Sequence, residues 1–110
     1  MKLKTFEDFK LYVRDEKDWG FWQNDTFEPE ETKLIKSLVK KDDVCLDIGA
    51  NIGYFTILMA KLSKRVHAFE PEPTNYQMLK NNIELNNLDN VYHGNYAITH
   101  DWPTTKLYLC

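Results

Sequence analysis

The chain has 110 residues, 43% of them apolar, which is enough for one domain with a modest core. Its 14 Lys and Arg against 17 Asp and Glu give a net charge of −3. Bulk electrostatics therefore point to neither nucleic acid nor an anionic membrane as partner and leave only a local patch open. No stretch approaches the roughly 20 apolar residues of a membrane span, and the opening MKLKTFEDFK lacks an apolar core for export, so the cytoplasm is the expected location.

In chain order, TFEDFKLYVR offers Thr5 as an N-cap with Phe6, Phe9, Tyr12 and Val13 at helical spacing, which predicts a short amphipathic helix. The same stretch is short and rich in aromatic and β-branched residues, so a strand is the alternative. DEKDWGFWQNDTFE reads as an irregular connection in which Trp19 and Trp22 are packing anchors. From Pro29 the pattern turns helical: Pro suits the first turn, Glu30 and Glu31 favour the helix N-terminus, and Leu34, Ile35, Leu38 and Val39 share one face to about Lys41.

VCLDI is a nearly continuous apolar strand, the pattern of a parallel sheet covered on both faces. A helix follows from about Gly53 to Ser63, then the strand RVHAF ending at Glu70. PEP opens a third helix with Tyr76, Leu79 and Ile83 on one side, fraying near NNLDN. VYHGNYAI is the next strand, interrupted at Gly94, and KLYL begins a fourth. Alternating strands and helices with short connections imply a Rossmann-like three-layer α/β/α domain with a parallel sheet, truncated after the third or fourth strand. Residues 28–110 form that domain and 1–27 an extension packed on it.

The chemistry is concentrated in DVCLDIGANIGYFT. Gly49 permits a sharp turn off the strand, Gly53 a close approach of the next helix, and Asn51 between them is the residue that best tolerates a left-handed backbone after glycine. Glu70, one strand-helix-strand unit further on, can accept hydrogen bonds from both ribose hydroxyls of an adenosine. A diphosphate fingerprint wants a third glycine and no acid ahead of the first. Asp47 would repel a pyrophosphate and hold a cationic amino group, which favours S-adenosylmethionine.

Asp47 as a mere helix cap and Glu70 as a solvated strand end are the bland alternatives. Tyr54 and Phe55 read first as core, Glu72 as a favourable charge at a helix start, and His67, His93 and His100 as packed or surface residues. Cys45 reads as a small buried hydrophobe; with Cys110 it makes no disulfide framework and no metal-ligand spacing. No metal site can be assembled.

FEPEET, VCLDIGANIGYFTILMA, FEPEPTNYQMLKNNIELNNLDNV and YAIT resemble the FkbM family of S-adenosylmethionine-dependent methyltransferases over about residues 27–110. The resemblance implies that Asp47, Gly49, Asn51 and Gly53 shape the pocket for the methionine part and that Glu70 holds the ribose. It also implies an adenine contact near the end of the third strand, for which Asn95 is the nearest residue. Methyl transfer to a hydroxyl of a small molecule or sugar is the implied activity, with this chain carrying the cofactor half. The alternatives are a fragment of an NAD-dependent oxidoreductase and a non-catalytic nucleotide-binding or interaction module. The truncation predicts that the strand of Asp47 has an open apolar edge, through which a homodimer forms, or else that the chain is cut from a longer product.

Overall fold

The computed structural model describes residues 1–23, 25–101 and 104–109, with side-chain detail to residue 98. The elements in order are β1 (Lys2–Thr5), β2 (Lys10–Val13), α1 (Trp19–Trp22), α2 (Pro29–Leu38), β3 (Val44–Ile48), α3 (Tyr54–Leu62), β4 (Arg65–Phe69), α4 (Pro73–Leu85), β5 (Val91–Gly94), β6 (Tyr96–Asp101) and β7 (Thr104–Leu109). Strands β3, β4 and β5 form a parallel sheet in that order, with Asp47 beside Ala68 and Ala68 beside His93. The α/β, Rossmann-like class expected from the alternation is the fold observed.

One face of this sheet carries Val66 and Ala68, both fully buried; α3 packs on β4, and Ala68 joins Ala50 and the α4 residues Leu79 and Ile83 in one cluster. The other face presents Val44, Leu46, Ile48 and Tyr92, all exposed, with the His67 ring stacked on Tyr92 at 5.2 Å. A strand apolar on both faces was the signal for two covering helical layers. The described residues supply one, so the second apolar face of β3 lies open. Strand β3 is also an edge of the three-stranded sheet.

Two local expectations are corrected. TFEDFKLYVR is not a helix: β1 and β2 pair antiparallel, with the Phe6 amide donating to the Phe9 carbonyl at 2.8 Å across the turn. Leu11 and Val13 alternate into the core, the two-residue period that the aromatic and β-branched content favoured. The outer edge of β2 is satisfied by side chains of α4. Asn82 accepts the Tyr12 amide at 2.6 Å and donates to its carbonyl at 3.2 Å, and Asn86 does the same for Lys10 at 3.1 and 2.8 Å. Two asparagines one helical turn apart thus meet alternate strand residues, as a neighbouring strand would.

KLYL is the second correction. It belongs to β7, which pairs antiparallel with β6 as a hairpin and does not continue the parallel sheet. The connection from β6 is too short for the crossover a parallel neighbour requires.

The core joins both parts of the chain. Phe6, Phe9, Phe21, Tyr54, Ile57, Leu58 and Met78 form one cluster, in which the Tyr54 ring meets Phe6, Phe9 and Phe27 edge-on at 5.0 to 5.2 Å. Trp19 and Trp22 do not anchor the connection: they are 57% and 37% exposed, and the buried residue of α1 is Phe21. Cys45 is half-buried with a free thiol. Cys110 and the His100 side chain lie outside the described residues. No described helix is long and apolar enough to cross a membrane.

Candidate functional site

The turn after β3 is built from backbone conformations that its residue types allow. Gly49, Asn51 and Gly53 all have positive φ, of 78°, 55° and 106°. A β-carbon on Gly53 would lie 2.9 Å from Leu79 Cδ1, so this glycine lets α3 begin against α4. A β-carbon on Gly49 would meet nothing within 4 Å, because it would point into open space. The amides of Gly49 and Ala50 both donate to the Phe69 carbonyl, at 2.8 and 3.0 Å, which ties the turn to the end of β4.

That open space is a cleft of about 330 Å³ at the carboxyl end of β3, within the range of small-ligand sites. Asp47, Gly49, Ala50 and Asn51 form its floor, and Phe21, Phe27, Tyr54 and Phe55 contribute aromatic walls. Glu28 and Glu31 also line it. The FEPEET turn is held there by Thr32, whose hydroxyl donates to the Phe27 carbonyl at 2.6 Å and lies 3.1 Å from the Tyr54 hydroxyl. Glu28 at its apex has a left-handed backbone, with φ 45°.

Asp47 is half-buried, and the Thr56 hydroxyl donates to its Oδ2 at 2.6 Å. Burial raises the Asp47 pKa above the ordinary value of 3.8; the Thr56 hydrogen bond opposes the rise and the nearby Glu70 charge adds to it. Among the described residues Oδ1 has no protein partner. A carboxylate held in this way, at the floor of an aromatic cleft with two further carboxylates on the rim, is suited to a compact organic cation.

Glu70 sits behind the turn. It is 5% exposed, and its oxygens accept the amides of Asn51 at 2.8 Å and Glu72 at 2.9 Å. Asn95 completes this corner by donating to the carbonyls of Glu70 and Pro71 at 2.8 and 2.9 Å. The structure thus brings Asp47, Gly49 and Asn51 to the cleft, places Gly53 under Leu79, and links Glu70 and Asn95 to each other and to the turn. Glu72 caps α4, accepting the Thr74 and Asn75 amides at 3.1 and 2.7 Å. Tyr54 and Phe55 pack in or against the core and also line the cleft.

The sequence reading missed Phe21, Phe27, Glu28, Glu31 and Thr56. FEPEET was itself a signal, since a Pro-initiated helix preceded by an acid delivers carboxylates to one end of the sheet, but nothing local says that this end faces Asp47. His93 lies away from the cleft, where its Nδ1 is 2.7 Å from the Tyr76 hydroxyl; burial and then Lys80 lower its pKa. No cluster of His, Cys, Asp and Glu that could hold a metal occurs among the described residues.

A parallel Rossmann-like sheet, an acid-led glycine turn without a phosphate fingerprint, and a carboxylate-lined aromatic cleft define a methyltransferase-type domain. The family described as TRM5/TYW2 methyltransferase domain matches residues 21–104, and the chain belongs to it. A tRNA(Phe) (4-demethylwyosine(37)-C(7)) aminocarboxypropyltransferase of Methanocaldococcus jannaschii is 47% identical over 64 residues, 56% of this chain and 26% of that protein. A tRNA (guanine(37)-N(1))-methyltransferase of Pediculus humanus subsp. corporis is 35% identical over 66 residues, 60% of this chain and 14% of that protein. The crystal structure of M. jannaschii TYW2 in complex with AdoMet superposes with a TM-score of 0.63 at 35% identity, covering 83% of this chain and 41% of that one. The chain therefore spans well under half the length of these relatives.

Three expectations fall. The family is not FkbM: the TRM5/TYW2 family matches residues 21–104, the stretch that holds both DIGANIGYFT and FEPEP. With FkbM goes the expected O-methylation of a small molecule or sugar. The exclusion of nucleic acid is also overturned, because both curated relatives are named for tRNA. Net charge averages over a whole chain and says nothing about where a few contacts are placed. The family match likewise replaces the oxidoreductase alternative.

Proposed function

We propose that this chain is the cofactor-binding portion of an S-adenosylmethionine-dependent enzyme that modifies a tRNA nucleobase. The observation that carries the reading is the Asp47–Gly49–Asn51 turn on the floor of the aromatic cleft, in a chain of the TRM5/TYW2 family. Asp47 would hold the α-ammonium, with Glu28 and Glu31 contributing negative potential around the sulfonium, and Gly49 and Asn51 would offer bare backbone beside the methionine part. Bound there, S-adenosylmethionine supplies an electrophilic carbon attached to its sulfonium. The walls of Phe21, Phe27, Tyr54 and Phe55 keep water from that carbon, and alignment of the acceptor is the main remaining requirement.

Two groups on the same sulfonium can be transferred, methyl or aminocarboxypropyl. The 47% identity to an aminocarboxypropyltransferase keeps the second reading beside the first. Incubation with tRNA and S-adenosylmethionine labelled either in the methyl or in the carboxyl carbon separates them. Methyl label in tRNA supports methylation, carboxyl label supports aminocarboxypropylation, and cofactor binding with no label in either case locates acceptor recognition outside this chain.

A further inference from the structure

A second concavity lies on the N-terminal part of the molecule, distinct from the cleft. Its volume is about 120 Å³, and it is lined by Lys2, Val13, Arg14, Asp15, Glu16, Trp19 and Trp22. Two indoles exposed together on one short helix are unusual for a surface whose core contact is made by Phe21 alone. Lys2 Nζ and Lys4 Nζ stand 5.4 and 5.3 Å from the Trp22 ring centroid, and Lys4 also donates to the Trp22 carbonyl at 3.5 Å. Arg14 is committed elsewhere, to Asp18 and Asn75. The ion pair of Lys2 with Asp15, 3.5 Å between exposed side chains, is of the kind that contributes little and exchanges freely.

We propose that this groove is a contact site for single-stranded RNA, with Trp19 as the stacking platform for one unpaired base and Lys2 of the lining, with Lys4 outside it on the Trp22 ring, as the partners of an adjacent phosphate. Every base has a π-face, so an exposed indole binds unpaired nucleotides with little sequence preference. Trp22, held from above by the lysines, fixes where the cations stand. Asp15 and Glu16 in the lining disfavour a long backbone track and limit the contact to a nucleotide or two. Helix α1 joins the groove to the cleft, because Phe21 of the same four residues is a wall of the cleft. The inference rests on the RNA reading of the proposed function.

The test is fluorescence anisotropy of an end-labelled oligouridylate octamer titrated with the chain, with a duplex RNA of equal length for comparison and S-adenosylhomocysteine calorimetry on the same preparations. The octamer should bind more tightly than the duplex, and Trp19→Ala should weaken it at least ~fivefold, the lower end of a stacking contact, while leaving homocysteine-product binding unchanged. The salt dependence should be shallow, with a log-log slope of about −0.7 for the one phosphate the two lysines neutralise. That slope should flatten in a Lys2→Ala, Lys4→Ala double variant. Unchanged octamer affinity in Trp19→Ala, or no octamer binding by a chain that binds S-adenosylhomocysteine, overturns the groove and leaves the cofactor reading standing. Octamer binding lost in Trp19→Ala by a chain that does not bind S-adenosylhomocysteine keeps the groove and overturns the proposed function.

Discussion

The Asn51 amide donates to Glu70 Oε1 at 2.8 Å, so the acid at the end of β4 clasps the apex of the turn at the end of β3. The other oxygen holds the Glu72 amide, and the residue is nearly fully buried. Glu70 therefore connects the ends of the two strands. Each carboxylate oxygen has a second lone pair, so the clasp and a ribose contact are compatible.

Removing the clasp should be costly. Glu70→Ala leaves the Asn51 and Glu72 amides without their acceptor, and at about 1–3 kcal/mol for each buried unsatisfied group the variant should lose roughly 2–6 kcal/mol in urea unfolding. Glu70→Gln keeps an acceptor for one amide and should lose less. If the two variants lose the same amount, the acid acts only as a charge.

The two glycines of the turn should respond differently. Gly53→Ala forces a β-carbon to 2.9 Å from Leu79 at φ 106°, and should cost about 2–3 kcal/mol from strain and overpacking together. Gly49→Ala meets no neighbour and should cost only the ~1–2 kcal/mol of a left-handed alanine, yet its methyl group projects toward the cleft. Thermal unfolding should rank Gly53→Ala as the less stable variant, and ligand titration should rank Gly49→Ala as the weaker binder for its stability.

Asp47 gives a pH signature. Its folded pKa lies above the unfolded 3.8, so its ionised form costs stability at neutral pH, and that part of the stability is recovered as pH falls through the folded pKa. Thr56→Val removes the one contact that lowers the value. The variant should lose stability relative to the parent as pH rises, by about 2 kcal/mol at neutral pH for a hydrogen bond to a charged group, and the difference should shrink in acid. A difference independent of pH between the two proteins would mean that Thr56 acts through packing alone.

Glu72 moves in the opposite direction. Its carboxyl is lowered to about 2 by the Thr74 hydroxyl and the Asn75 and Thr74 amides, so its contribution is present above the unfolded value of 4.5 and is lost as pH falls toward 2. Glu72→Gln should lower the melting temperature at neutral pH and converge with the parent in strong acid.

The sequence made the parallel unit legible because its signals are local. VCLDI and RVHAF are strands with their predicted bounds, and Asn51 adopts the left-handed backbone its type favours. The hairpin was less legible, since what fixes Lys10–Val13 as a strand is Asn82 and Asn86 more than 70 positions away. Trp19 and Trp22 misled because large aromatic residues are usually buried, whereas here Phe21 takes the interior position between them. The site was half legible: Asp47 and Gly49 announce a ligand, but the rim of Glu28 and Glu31 depends on where the Pro29 helix docks. The acceptor was not legible, because none of the motifs read from the sequence is specific to an acceptor.

Asn82 offers a check on that long-range tie. It is fully buried and also donates to the Ile52 carbonyl at 2.8 Å, so it joins the hairpin to the turn itself. Asn82→Ala should cost roughly 2–4 kcal/mol and should raise amide exchange in both Lys10–Val13 and the Asn51–Gly53 turn. Faster exchange in the hairpin alone would show that the turn is independent of it.

The measurement that tests the central claim most directly is calorimetric titration of the chain with S-adenosylhomocysteine, with NAD as the comparison ligand and Asp47→Asn as the variant. The chain should bind S-adenosylhomocysteine saturably and NAD not at all, and Asp47→Asn should bind at least about tenfold more weakly, since about 1.4 kcal/mol is tenfold and a charged hydrogen bond exceeds that. Binding of NAD in its place, or S-adenosylhomocysteine binding that Asp47→Asn leaves unchanged, would contradict the central claim.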